Sequence, residues 1–225
     1  MLHRLADDLW HITHGFKAGG ISLTSRMTVV RLPDNKLWLH SPIPISDALR
    51  KEIDAIGTVA HIVAPSKTHH LFLPSSLAAF PKANLYGAPG LRAKRPDLVS
   101  MRELPADEVA PWAPALQHIV VEGIPFGNET VWFHVPSATL IVTDFFQWWQ
   151  GDLPWTARLY ATLTGVRSGL AVPRTVRALA RDREAVRSSA ARLQRWPFVR
   201  VVMAHNAVLE VESKAQVATA LRLWA

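Results

Sequence analysis

The apolar and polar positions of this chain change period along its length, and the changes lay out its elements. Residues 9–13 and 25–32 read as strands, and the latter is followed by a polar turn at 33–36 and a second β-rich run at 37–40, which is a hairpin signal. The period then becomes helical over 47–56, with Ser46 as the expected N-cap and Gly57 as the stop. A short apolar run at 58–64 predicts a buried strand, 73–80 a helix, and 83–86 another short strand closed by Gly87, Pro89 and Gly90. Residues 92–114 are weakly patterned and predict a helix turn and a surface loop. Three strands follow at 117–123, 130–134 and 139–143. Residues 148–196 turn helical, and 174–193 predict one exposed amphipathic helix with an apolar stripe at Val176, Leu179 and Val186. Residues 198–204 predict a last buried strand, and 213–224 a closing helix capped by Ser213. This order suits an α/β (α+β) chain with a sheet-on-sheet core and helices outside, organised as one domain over 1–225.

Composition narrows the chemistry. With no cysteine there is no disulfide framework, thiolate-bound zinc, iron–sulfur cluster or cysteine nucleophile. No apolar run reaches the ~18 residues of a spanning helix, and the first ten residues lack a signal core, so a cytoplasmic protein that does not enter a membrane is the expectation. The net charge of +7 concentrates between Arg158 and Arg200, where ten arginines meet only Asp182 and Glu184. That segment reads as a solvated basic face. It favours an anionic substrate weakly, and nucleic acid is not expected.

Three buried strands end directly in metal-type ligands: 60–64 runs into Pro65-Ser66-Lys67-Thr68-His69-His70, 139–143 into Asp144, and 199–204 into His205. Strands lying side by side stop at one rim, so their end residues can converge. Imidazole and carboxylate are the donors a cysteine-free protein offers zinc or iron. The chain has no glycine-rich phosphate loop, Gly-x-Ser-x-Gly elbow or dinucleotide fingerprint.

In these positions the sequence resembles the metallo-β-lactamase superfamily, and within it a divergent branch of unknown function. There a first strand end carries His-x-His-x-Asp-His, a later one a bridging Asp and a final one a His. Asp144 resembles the bridging aspartate, His205 the last histidine, and Thr68-His69-His70 falls at the first motif. The resemblance implies a four-layer αββα sandwich. Setting His69-His70 against the closing Asp-His leaves Pro65 and Lys67 in place of two histidines, and residues 123–127 lack the third. One metal site is therefore dismantled. The other is expected to hold one zinc ion, or iron or manganese, on His69, His70, Asp144 and His205, with the register open by one residue.

That reading implies a hydrolase in which one metal-activated water attacks an ester, thioester, amide or phosphodiester of a small-molecule substrate. Asp144 would hold the ion or orient the water, and Lys67 would bind an anionic substrate group. A degenerate, metal-free and non-catalytic member of the fold that binds a ligand or partner stands as the alternative, and redox chemistry at a lone iron as a third. Glu122 and Glu129 are candidates for a base or extra ligand against an ordinary surface role. His118 and His134 read as structural histidines, and Trp148, Trp149 and Trp155 as core packing or a pocket wall.

Overall fold

The structure is a computed structural model, which describes residues 1–105 and 110–224; positions 106–109 of the expected surface loop lie outside the described residues. The first sheet holds seven strands in chain order: β1 (His3–Ala6), β2 (Leu9–Ala18), β3 (Ile21–Arg31), β4 (Lys36–His40), β5 (Thr58–Ala64), β6 (Asn84–Gly87) and β7 (Arg102–Glu103). It is antiparallel from β1 to β4 and parallel from β4 to β7. The parallel steps are crossed over by α1 (Asp47–Asp54), α2 (Leu73–Ala79) and α3 (Leu91–Lys94). Ser46 caps α1 by accepting the Leu49 amide at 3.2 Å, as its position before the helical run predicts.

The second sheet runs β12-β11-β10-β9-β8, from β8 (Leu116–Val120), β9 (Thr130–His134), β10 (Thr139–Val142), β11 (Arg200–Met203) and β12 (Val208–Leu209). Its one parallel pair, β10 with β11, is bridged by α4 (Trp155–Thr164), α5 (Arg174–Ala178) and α6 (Arg183–Gln194), and α7 (Ser213–Leu221) follows β12.

Strand alternation makes four layers. Val30, Trp38 and Val63 of the first sheet meet Trp132, Ile141 and Val202 of the second in a shared core, with the Trp38 and Trp132 rings 4.8 Å apart in a tilted, edge-on contact. Their chain neighbours point the other way. Val29, Leu37, Leu39 and Ile62 pack with Leu49, Ile53 and Leu73 of the outer helices. On the far side, Val131, Leu140, Val142 and Val201 pack with Val186, Leu193 and Val217. The expected two facing mixed sheets with helices outside are present.

Several local expectations change. The strands expected at 9–13 and 25–32 run further than their apolar pattern, because β2 and β3 stay paired out to Ala18 and Ile21 through exposed and half-buried residues. The single helix expected over 174–193 is two, since Asp182 restarts the chain by accepting the Ala185 amide at 3.0 Å. Ser213 is not a cap. Glu212, in the left-handed region at φ 49°, precedes α7, and the Ser213 hydroxyl donates to the carbonyls of Val199 and Leu209. Gly123 is required where it stands: at φ +85°, a Cβ there would lie 2.1 Å from the Asp182 carbonyl oxygen.

His134 is buried at the edge of the shared core, its Nδ1 2.7 Å from the Ser137 hydroxyl, and burial pushes its pKa from 6.5 to about 4. Between these values the unfolded chain takes up the proton and the folded one does not. Stability is therefore expected to fall as pH drops through that window, by ~3 kcal/mol at its lower end. Urea midpoints at pH 7 and pH 5 check this. The pH-dependent loss should shrink in His134→Asn, and an unchanged loss would assign the acid sensitivity elsewhere.

Candidate metal centre

Register sets the site. Parallel pairing puts Val142 opposite Met203, so Asp144 and His205, each two residues further on, leave the same rim together. The loop after β5 reaches this rim from the other sheet. It is tied down where Thr130 N donates to Pro65 O and Lys67 N to Gly127 O, both at 2.7 Å. The Arg26 amide on β3 donates to Ala204 O at 2.8 Å, joining the first sheet to the segment that carries His205.

Three ligand atoms converge there. His69 Nε2 lies 3.4 Å from Asp144 Oδ2 and His205 Nε2 lies 3.1 Å from Asp144 Oδ1. All three donors fall within 4.8 Å of one another. The far side of each imidazole is anchored: His69 Nδ1 meets the Ser41 hydroxyl at 2.8 Å, and His205 Nδ1 donates to the Thr24 carbonyl at 2.5 Å. This leaves both Nε2 atoms aimed at the centre, the arrangement that outer hydrogen bonds give metal-binding histidines. The imidazoles are buried while Asp144 keeps 25% of its side chain exposed, so the centre opens to solvent on the aspartate side. Two imidazoles, one carboxylate and one open side are a donor set that a single divalent ion accepts.

The carboxylate is oriented from several directions. The Thr68 hydroxyl donates to Asp144 Oδ2 at 2.8 Å and the Gln147 amide to Oδ1 at 3.1 Å. Burial works to raise the Asp144 pKa, but His69 and His205 override it and hold the carboxyl well below the usual range. His205 is shifted upward, the hydrogen bond and charge of Asp144 outweighing its burial. Beneath them Glu129 is buried and accepts the amides of Thr143, Asp144 and Phe145 at 2.7, 2.8 and 2.8 Å. Burial first, and then the Asp144 charge, push its carboxyl up to about 7, partly opposed by those amides.

Not every residue singled out in the sequence reaches this centre. The structure brings His69, Asp144 and His205 together, and turns His70 away: its Nδ1 lies 3.1 Å from Arg95 Nη1. Thr68 and His69 both face Asp144 Oδ2, while the next residue, His70, turns to Arg95. Lys67 Nζ donates to the Pro125 carbonyl at 2.9 Å, away from the three donors. Glu122 is exposed, and Glu129 is neither a surface carboxylate nor a group facing His69 and His205, because it holds three backbone amides. His118 and His134 are buried structural histidines, with His118 Nε2 3.0 Å from Pro105 O. Trp149 packs against Tyr160 and has its ring 6.0 Å from His205, Trp148 packs into the outer core, and Trp155 is exposed.

Sequence reasoning missed Ser41, Thr24 and Arg26. Of these only Arg26 carried a signal, a charged residue inside an apolar strand. Its guanidinium is buried and donates to the carbonyls of Met203, Ala207 (2.9 Å) and Asn206 (2.7 Å), gripping the segment around His205. The arginines from Arg158 to Arg200 line neither hollow beside Asp144. Among the described residues no helix is long and apolar enough to cross a membrane.

Known structures share this architecture over essentially the whole chain. A metallo-β-lactamase from Pontibacter korlensis superposes with a TM-score of 0.68 at 13% identity, covering 100% of this chain and 98% of that one. The TMB-1 structure gives 0.67 at 12% identity with 98% and 95% covered, and the DIM-1 metallo-β-lactamase exposed to ceftazidime gives 0.66 at 9% with 100% and 97% covered. At these identities the likeness shows the fold alone. No curated protein matches the sequence. The model of one family does match, over residues 6–168: the chain has a metallo-β-lactamase fold and belongs to the family described as Domain of unknown function (DUF4336).

Proposed function

We propose that this chain is a metal-dependent hydrolase with a single ion held by His69, Asp144 and His205, acting on an ester, thioester, amide or phosphodiester. The observation that carries the reading is the convergence of three donor atoms within 4.8 Å, with the far nitrogen of each imidazole already anchored. In this reading Thr68-His69 takes the place of the motif's closing Asp-His, one residue earlier than the sequence alone suggests. Ser66 and Ala64 then stand where the two leading histidines would be, and one ion is still the expected number.

Bound there, a divalent ion supplies Lewis acidity and a water of lowered pKa. The chain's own residues do the rest. Thr24 and Ser41 fix the imidazoles, Thr68 and Gln147 hold the Asp144 carboxylate, and Glu129 fixes the backbone from which Asp144 projects. The direct contacts of Asp144 with both imidazoles favour the second reading, a closed polar cluster in a non-catalytic binding protein.

Elemental analysis of protein purified without a histidine tag separates the two. About one equivalent of transition metal is expected, lost in His205→Ala and Asp144→Ala and retained in His70→Ala. Two equivalents would sink the one-ion reading. No metal, with His205→Ala as stable as the parent, would leave the binding protein.

A further inference from the structure

The positive charge of the sequence has no counterpart at the site. Two hollows meet at Thr68 and Asp144, which line both. One, of about 310 Å³, is the cleft over His69 and His205. The other, of about 270 Å³, lies on the far side of Asp144, where Val121, Ile124, Phe126, Phe145, Val176 and Leu179 form its walls. Most of its polar groups sit at the Asp144 end: Thr68, Gln147 and Glu129 each bond to Asp144 or to its backbone. Among the described residues neither hollow is lined by lysine or arginine, and the second is lined by the carboxyl groups of Glu129 and Asp144. An anionic group would lose its hydration among these apolar walls with no cationic side chain to compensate it.

The turn that lacks the third histidine of the resemblance supplies Ile124 and Phe126 to this wall. The turn is held firmly, since Gly123 O accepts the amides of Arg181 (2.8 Å) and Asp182 (3.2 Å) beyond α5. The volume lies near the ~300 Å³ lower bound of small-molecule pockets, which are mostly apolar with a few placed polar groups.

We infer that this second hollow binds the uncharged acyl or alkyl arm of the substrate, leaving the reacting group beside Asp144. The inference rests on the hydrolase reading above and names the substrate class as neutral apolar esters or amides. For an ester, the water oxygen bonds to the acyl carbon, the bond from that carbon to the alkoxy oxygen breaks, and one water proton leaves with the alcohol.

Binding of butanamide, hexanamide and octanamide to the full chain, measured by calorimetry with and without added zinc, tests the pocket independently of turnover. Affinity should rise about fourfold per added methylene, the equivalent of ~0.8 kcal/mol. In the zinc-free protein octanoate should bind roughly tenfold more weakly than octanamide. Leu179→Trp should flatten the length dependence, and Leu179→Ala should shift it toward longer chains, so one folded variant suffices. The hydrolytic arm is kcat/KM of the zinc-loaded protein on p-nitrophenyl acetate, butyrate and octanoate, expected to rise along the series. Length-independent binding, a preference of the zinc-free protein for octanoate over octanamide, or length dependence that survives in Leu179→Trp overturns the inference. Length-dependent amide binding without turnover of any ester would keep the pocket and remove ester hydrolysis from the reading above.

Discussion

Arg26→Met is expected to cost ~3 kcal/mol or more of stability and to weaken metal binding at a site it does not touch. The guanidinium is 4% exposed and donates to the carbonyls of Met203, Asn206 and Ala207, with Nε 3.2 Å from His11 Nδ1. These partners are neutral, so the charge is stabilised by the carbonyl dipoles where β11 ends. Burial lowers its pKa to about 10, still far above neutrality. Methionine preserves most of the volume but leaves several inward-facing carbonyls without a donor, each costing ~1–3 kcal/mol. The same carbonyls flank His205, so the segment loses its clamp and the imidazole its fixed direction. Arg26→Lys retains the charge but lacks the planar fork that reaches three acceptors at once, and an intermediate loss is expected. Urea unfolding and a zinc titration measure the two effects. Loss of stability with zinc affinity unchanged would show that His205 is held by the Thr24 carbonyl alone, and no loss of either would show that the guanidinium is not a clamp.

The fold was legible where burial on both faces of a strand leaves an uninterrupted apolar run. Positions 58–64 and 130–134 match β5 and β9 to the residue, because inward and outward neighbours alike enter a core. The outer halves of β2 and β3 were not legible, since their pairing depends on backbone bonds between residues such as Lys17 and Ser22 that carry no apolar signal. The break between α5 and α6 did carry one, an aspartate at an N-cap position, overridden by the apolar stripe running through it. At the candidate site, strand ends pointed to Asp144 and His205, because parallel register carries equivalent positions of β10 and β11 to one rim, and to the His69 loop, which reaches that rim from β5 of the other sheet. Which of two adjacent histidines turns inward is decided by contacts with Ser41 and Arg95, 28 and 25 residues away. The sequence holds no local record of that choice. Glu129, in a Gly-Asn-Glu-Thr stretch, has the local character of a surface residue and is buried only because the turn after β10 folds onto it.

Glu129→Ala should therefore be nearly as damaging as any core truncation, through unpaired amides more than lost apolar contact. One carboxylate oxygen accepts Thr143 N, and the other accepts both Asp144 N and Phe145 N. Alanine leaves all three N–H groups in a buried turn without an acceptor. At ~1–3 kcal/mol for each unsatisfied donor, a loss of ~3 kcal/mol is expected, and for a chain of this size it lowers Tm by roughly 6–12 °C. Glu129→Gln separates bonding from volume. Its amide oxygen can keep two of the three donors, but its NH₂ group then faces the third, so it should fall between the parent and alanine. Both variants should also lose zinc affinity, because Asp144 projects from the backbone that Glu129 fixes. Thermal unfolding and zinc titration of the pair decide the matter. If alanine and glutamine lose equal stability, acceptor count is not what Glu129 supplies. If alanine loses under 1 kcal/mol, the turn after β10 is held by its own packing, and Phe145 and Phe146 in the outer core are its anchor.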